Sequence, residues 1–148
     1  NWGASNGVLT IDGQPLQVRF NLHQDATIAT AGAALTLAKA FGGTLDDDRA
    51  EAEIAFGVTR PVRTLRLARS FAVGPIALTA LLARTGDFGN AEGIAATGAT
   101  PDPDEVVVTA KGKRDHRRDR VIVGRAALAA CSSIVFDKPA KVIRLTCS

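Results

Sequence analysis

The chain has 148 residues, a net charge of +3 and 46% hydrophobic residues, so it is long enough for one domain with its own core and too apolar for a disordered segment. No apolar run reaches the roughly 18 residues that a membrane-spanning helix requires. Because the sequence contains no Met, we expect it to lack its initiator, through removal of a leader or excision from a longer chain.

The first third of the chain predicts a hairpin and a helix. Residues 1–7 are polar and glycine-rich, which is typical of a linker or ragged terminus, and we expect a single domain over residues 8–148. Strands are predicted over residues 8–11 and 16–22, joined by Asp12-Gly13, which favours a tight turn. The alanine-rich residues 31–41, stopped by a Gly-Gly pair, predict a short helix.

The middle of the chain predicts two further hairpins. Residues 53–58 and 62–67 have the pattern of strands, with a turn expected at Thr59-Arg60-Pro61. A second hairpin is expected about Gly74-Pro75. Residues 86–104 lack periodicity and predict a long loop, and residues 105–110 predict a strand. Many short strands separated by turns indicate an all-β barrel with one or two short helices.

A basic segment covers residues 111–120, with six Lys or Arg against two Asp. It is typical of a solvated loop, and it could also contact an anionic envelope surface. Nucleic acid is not expected as a partner, because the segment has no aromatic residue on which a base could stack. The three consecutive acids Asp46, Asp47 and Asp48 do not form a calcium-loop motif, so neither a metal nor another cofactor is expected.

The chain contains two cysteines, Cys131 and Cys147. If the last two strands fold about Pro139, Phe136 faces Val142 and the cysteines come opposite each other. A disulfide there would close a loop of roughly 17 residues and contribute about 3 kcal/mol by the chain-entropy estimate. Such a bond would indicate an oxidising compartment, so we expect a periplasmic or secreted protein.

The C-terminal pattern resembles that of the retropepsin-like aspartic proteases, in their bacterial single-domain form. Val-Ile-Val precedes Gly124, and Leu128 follows on a predicted short helix. Residues 134–137 then form the end of a predicted strand, whose last residue is Asp137. The resemblance implies a closed acid-protease barrel, identifies Gly124 as the glycine of the family pattern, and implies a flap over the cleft, for which Thr59-Arg60-Pro61 is the candidate. It implies a turn role for Asp137, and an orienting role or a pairing with Arg125 for Asp119.

The resemblance also implies an Asp-Thr-Gly or Asp-Ser-Gly triplet after the first apolar strand, which this sequence lacks. In one register His23 takes the place of the acid, Gln24 that of the hydroxyl residue and Asp25 that of the glycine, while Ala26 and Thr27 agree with the family. In the other register Asp25 is the catalytic acid, and Ala26 and Thr27 replace Thr-Gly. Members of the family need two carboxylates, one from each half of a dimer, which share a proton about one water.

Three functions follow from these patterns. The leading hypothesis is a protease-like domain that is inactive alone and binds an extended peptide or protein, or pairs with an upstream protease-like lobe. The second is an active aspartic endopeptidase that works as a homodimer through Asp25. The third is an envelope-binding β-barrel module that uses the basic loop. A His23–Asp25 metal or base pair is a minor alternative, because two ligands alone are weak evidence for a metal.

Overall fold

The computed structural model of this chain describes residues 6–85, residue 94 and residues 118–148. Most of the predicted linker, most of the long loop, the strand over residues 105–110 and residues 111–117 of the basic segment lie outside the described residues. The described part is mostly β-strand with one α-helix, which confirms the all-β class. Within it, no helix combines the length and the apolar character needed to cross a membrane.

The N-terminal hairpin forms as its turn signal predicts. Strand β1 covers Gly7–Ile11 and strand β2 covers Gln14–Asn21, and the two pair antiparallel about Asp12-Gly13. Alternate residues of β2, among them Leu16 and Val18, are buried. The second strand ends at Asn21, one residue earlier than predicted.

The only α-helix among the described residues has the predicted bounds. After the short strand β3, Ile28–Ala29, helix α1 covers Ala31–Phe41. The Thr30 hydroxyl caps its first turn by accepting from a backbone N–H, and the helix ends at Gly42 in the left-handed conformation. Strand β4, Gly43–Leu45, follows directly.

The next hairpin corrects the sequence-based turn. Strand β5 covers Ala50–Ala55 and strand β6 covers Val58–Val73, so the turn is Phe56-Gly57. The predicted turn Thr59-Arg60-Pro61 lies inside β6 and pairs with residues 51–53, so that placement was wrong. A tight two-residue turn needs positive φ, which Phe56 and Gly57 adopt at 49° and 77°. The hairpin about Gly74-Pro75 is confirmed, with strand β7 over Ile76–Arg84.

The C-terminal elements follow the predicted order. Strand β8 covers Arg120–Gly124, a 3-10 helix covers Arg125–Leu128, and strands β9 and β10 cover Cys131–Asp137 and Val142–Cys147. The register differs by one from the expectation, since Phe136 faces Ile143. A β-bulge after Thr146 restores the opposition of the cysteines, and the disulfide is present.

The strands form an eight-stranded sheet and a separate two-stranded sheet. The order in the large sheet is β1-β2-β8-β3-β7-β6-β4, with β5 also paired to β6, and β9 pairs only with β10. Strand β3 lies between β8, to which it is antiparallel, and β7, to which it is parallel. A closed barrel would need the two outer strands to pair, and β1 and β4 stay at opposite ends, so the predicted closure was wrong for the described residues.

The core lies between helix α1 and the large sheet. Phe71 of β6 packs on Phe41 at the end of the helix, with ring centroids 5.5 Å apart. Ile94, the one described residue of the long loop, is also buried in this core. The largest fully buried apolar side chains are Phe71, Leu16, Leu37, Leu65, Val18, Val62, Val121 and Val123.

Candidate functional site: the loop after β2 and an apolar groove

The residue at which β2 ends and the following loop begins carries a side-chain amide. Asn21 is the last residue of β2 and lies opposite Gly124 in the parallel ladder with β8. Its side-chain Oδ1 accepts the N–H of His23 at 3.0 Å, which starts the turn. Both registers considered above extend the strand to Leu22, and neither assigns a role to Asn21. The resemblance implies a carboxylate where the strand passes into the loop. Asn21, the last strand residue, carries an amide that cannot ionise, and the two residues that follow it, Leu22 and His23, are not carboxylic acids either.

The loop over residues 22–27 is seated on Gly124. A Cβ added to Gly124 would collide with the carbonyl oxygens of Asp25 and Ala26. The glycine has an ordinary φ of −86°, so it is required for space and not for backbone freedom. The Oγ1 of Thr27 accepts the Gly124 N–H at 3.1 Å. The absence of a side chain at Gly124 therefore allows the loop to lie directly against the end of β8.

Backbone hydrogen bonds tie the same loop to the start of the 3-10 helix. The N–H of Arg125 donates to the Gln24 carbonyl at 2.7 Å, and the N–H of Ala126 donates to the Asp25 carbonyl at 3.0 Å. On the other side of the loop, the Leu82 N–H donates to the Thr27 carbonyl at 2.9 Å. These bonds involve main-chain atoms, so they place few demands on the side chains of the loop.

Apart from the buried Thr27, the polar side chains of the loop are at least partly exposed. Asp25 is exposed, and its Oδ1 pairs with Arg125 Nη2 at 3.3 Å. His23 is exposed, and the Gln24 side-chain amide donates to the Ala26 carbonyl at 2.7 Å. Asp25 is the one carboxylate among residues 21–27. In one copy of the chain this loop therefore offers a single acid, which is bound by an arginine and is not part of an acid pair.

No metal site emerges around His23 and Asp25. Among the described residues, no group of three or more His, Cys, Asp or Glu side chains is arranged to hold a metal ion. A two-residue cluster on an exposed loop lacks the ligand number that protein metal sites use.

The other two predicted acidic residues have separate roles. Asp137 accepts the Ala140 N–H at 3.0 Å and lies 3.6 Å from the guanidinium of Arg144, so it organises the turn as predicted. Asp119 is buried at the entrance to β8, and its carbonyl accepts the Gln17 N–H. The resemblance offered Asp119 as a partner for Arg125, but Arg125 pairs with Asp25 instead.

Positive charge collects where β8 begins. Burial lowers the pKa of the Arg120 guanidinium from its ordinary value, and the charges of Arg19, Arg84 and Arg118 lower it further. Arg84 is itself buried, so this charge lies against the body of the domain. The described end of the basic segment is therefore partly structural, and it is not wholly a solvated loop.

The tip of the β5–β6 hairpin is an exposed aromatic. Phe56 is fully exposed and adopts a φ of 49°, a conformation that bulky residues rarely take. The following Gly57 donates its N–H to Glu53 Oε1 at 3.1 Å, which stabilises the turn. This hairpin stands in the chain where the resemblance places a flap, with Phe56 and not Arg60 at its tip.

Sequence reasoning missed an apolar groove of about 690 Å³. It lies between the first hairpin, the β6–β7 turn and the β9–β10 hairpin. Phe20 and Val73 are among the lining residues from the large sheet, and Phe136 and Ile143 are among those from the small sheet. The signal available in the sequence was Phe136, an aromatic residue on the first strand of the C-terminal hairpin, but the surface that it faces across the groove is distant in the chain.

The groove opens beside an edge strand. The consecutive residues Asn6, Gly7, Val8 and Leu9 all line it. Strand β1 ends the strand order of the large sheet, so within the described residues one of its edges has no strand beside it. An edge of this kind can accept an added strand.

Comparison with known proteins adds no relative to this description. No protein-family model matches the chain, and searches of curated proteins and of solved structures likewise find no match.

Proposed function

We propose that this chain is a non-cleaving domain of retropepsin-like design that binds an extended peptide. The observation that carries the proposal is the structure of the loop after β2. The carbonyls of this loop lie close against Gly124, while the strand before it ends at Asn21 and not at an acidic residue. An amide cannot take a proton from water as a carboxylate does, and the exposed Asp25 is paired with Arg125. The loop is thus suited to preserve the fold and not to activate water.

Binding of a peptide is supported by the groove and the edge strand together. An extended peptide can pair with the outer edge of β1, beside which the described residues place no other strand, and insert alternate side chains into the apolar groove. The disulfide between Cys131 and Cys147 closes the hairpin that forms one wall of the groove, and it favours a periplasmic or secreted location. Pairing with a second copy or another lobe remains part of the proposal.

The first test combines a binding assay with a cleavage assay on the full chain. The probe is a mixture of fluorescein-labelled extended peptides of varied sequence, with anisotropy to report binding and mass spectrometry to report cleavage between about pH 4 and about pH 7. We expect saturable binding, with every peptide recovered intact. The variant Asp25→Asn should behave like the unchanged protein in both assays.

Two results would overturn the proposal. Cleavage that pepstatin inhibits and that Asp25→Asn abolishes would establish the active homodimeric protease instead. Absence of saturable binding to any peptide would remove the peptide-binding function.

A further inference from the structure

The apolar groove has two solid contacts at its sides and open space between them. A Cβ added to Gly7 would lie 3.6 Å from the Ile143 side chain, and a Cβ added to Gly74 would lie 3.6 Å from that of Leu145. The terminal hairpin therefore approaches the body of the domain closely at both glycines, and Leu145 packs against the core. The volume of about 690 Å³ is in the range of pockets that bind small ligands or several side chains.

Apolar side chains at the groove remain in contact with water. Val8 is 62% exposed, Phe136 is 43% exposed and Val142 is 41% exposed, and all three line the groove. Covering such apolar surface is favourable because it is removed from water. A ligand with apolar side chains would therefore gain affinity by covering them.

Within the described part of the chain, strand β1 carries none of three sequence features that commonly protect an edge. Its residues, Gly7–Ile11, include no charged residue and no proline, and its ladder with β2 has no bulge. Edge strands are usually blunted by one of these features, because an open edge attracts other strands. An edge of this kind directly beside an apolar groove favours an extended occupant, which would use both the edge and the groove.

The lip of the groove carries a net positive charge. Lys138 and Lys141 are exposed lining residues from the β9–β10 turn. The one acid beside them, Asp137, is engaged by the Ala140 N–H and by Arg144. The charge that is complementary to this lip is therefore negative.

We infer that the groove is the peptide site, and that it selects an extended peptide with aliphatic residues at alternate positions and an acidic residue at one end. Strand β1 supplies the backbone edge, the groove takes the aliphatic side chains, and the two lysines attract the acid. This inference rests on the proposed function and adds the place and the chemistry of the ligand.

The test uses labelled hexapeptides and the full disulfide-bonded chain. The probe is Glu-Val-Thr-Val-Thr-Val, compared with a version in which Lys replaces Glu and with one N-methylated at alternate residues. We expect the Lys version and the N-methylated version each to bind at least about tenfold more weakly. The N-methyl groups remove backbone donors, so they report strand addition without any change to the protein.

Matched protein variants locate the site. Val8→Lys places a charge in the groove, and Val135→Lys places the same charge on the opposite face of the β9–β10 hairpin, where the valine is 50% exposed. Val8→Lys should weaken binding at least about tenfold, and Val135→Lys by less than about twofold. The double variant Lys138→Glu with Lys141→Glu should reverse the preference between the Glu and Lys peptides.

The outcomes separate this inference from the proposed function. If peptides bind but Val8→Lys and the lysine variants change nothing, the domain binds peptides elsewhere and the inference is wrong. Equal binding of the N-methylated probe would overturn the edge-strand role of β1. Failure of every peptide mixture to bind would overturn the proposed function itself.

Discussion

The loop after β2 and the tip of the β5–β6 hairpin are held in opposite ways. The loop is fixed by main-chain hydrogen bonds and by the close approach of its carbonyls to Gly124. At the tip, a Cβ added to Gly57 would meet nothing within 4 Å, and Phe56 is fully exposed. A loop that is held by its main chain can keep its shape when its side chains change, including a side chain at a catalytic position. An exposed tip has no packing reason to keep an aromatic residue.

The tip of the β1–β2 hairpin has nearly the same backbone conformation as the tip of the β5–β6 hairpin, with a different first residue. Asp12 and Gly13 have φ values of 49° and 78°, and Phe56 and Gly57 have 49° and 77°. Aspartate is among the residues that accept this left-handed conformation, whereas phenylalanine is not. The two turns therefore share one backbone conformation, which Asp12 adopts at a low cost in free energy and Phe56 at a higher one. Costly, exposed residues of this kind are candidates for function.

The largest effect is expected from Gly124→Ala. The added methyl group would collide with two loop carbonyls, so we expect a loss of about 3 kcal/mol in the free energy of unfolding, measured by urea denaturation. The matched control is Gly57→Ala, which meets no neighbour and should cost only about 1 kcal/mol for its left-handed backbone. Equal losses of unfolding free energy for the two variants would mean that the loop carbonyls do not lie close against Gly124.

A smaller effect of opposite sign is expected from Phe56→Asn. Asparagine accepts the left-handed conformation, so the variant should be more stable by about 1 kcal/mol, seen as a rise of about 3 °C in Tm. The reciprocal variant Asp12→Phe should be less stable by about the same amount. Destabilisation by Phe56→Asn would show that the aromatic ring makes stabilising contacts that outweigh the cost of its left-handed backbone.

The base of the β5–β6 hairpin should respond to acid. Thr64 donates its N–H to Asp48 Oδ1 at 3.0 Å and its hydroxyl to Oδ2 at 2.7 Å, and these hydrogen bonds lower the pKa of Asp48, the backbone bond most. A lowered folded pKa stabilises the protein above the ordinary range of aspartate, about pH 4, and this contribution is lost as the pH falls through the folded pKa.

The variant Asp48→Ala tests this by urea denaturation at several pH values. It should be less stable than the unchanged protein at neutral pH, by less than the Phe56→Asn change, and the difference should shrink in acid. A difference that grows as the pH falls would contradict the assigned direction of the pKa.

The smallest effect is expected from Asp25→Asn. The ion pair with Arg125 joins two exposed side chains, and such pairs contribute less than about 0.5 kcal/mol after screening. Thermal denaturation should therefore give nearly the same Tm for the variant and the unchanged protein. A loss several times larger would mean that the carboxylate, and not the main chain, holds the loop, which would reverse the comparison with the hairpin tip.

Local signals predicted much of the architecture. The helix over Ala31–Phe41 has a capping threonine before it and glycines after it, and both turns with well-suited residues, Asp12-Gly13 and Gly74-Pro75, formed where expected. The Phe56-Gly57 turn was missed, because phenylalanine is a poor turn residue and Pro61 is a good one. Pro61 instead occupies a strand position opposite Glu51.

Tertiary contacts decided the site. The disulfide could be predicted because both cysteines lie on one hairpin, and a bulge corrected a register that was wrong by one residue. The seat of the loop on Gly124 depends on the parallel pairing of β2 with β8, strands about 100 residues apart in sequence. The groove likewise needs the first hairpin and the last to meet.

The sequence by itself determined the all-β class, the one described α-helix, the β1–β2 and β6–β7 turns and the cysteine pairing, since each depends on a few neighbouring residues or a single hairpin. Only the tertiary structure decided that Asn21 lies at the strand end, that the sheet stays open and that β1 borders an apolar groove. Those features depend on which distant strands pair, and that choice is made by the packing of the whole core and not by local propensity.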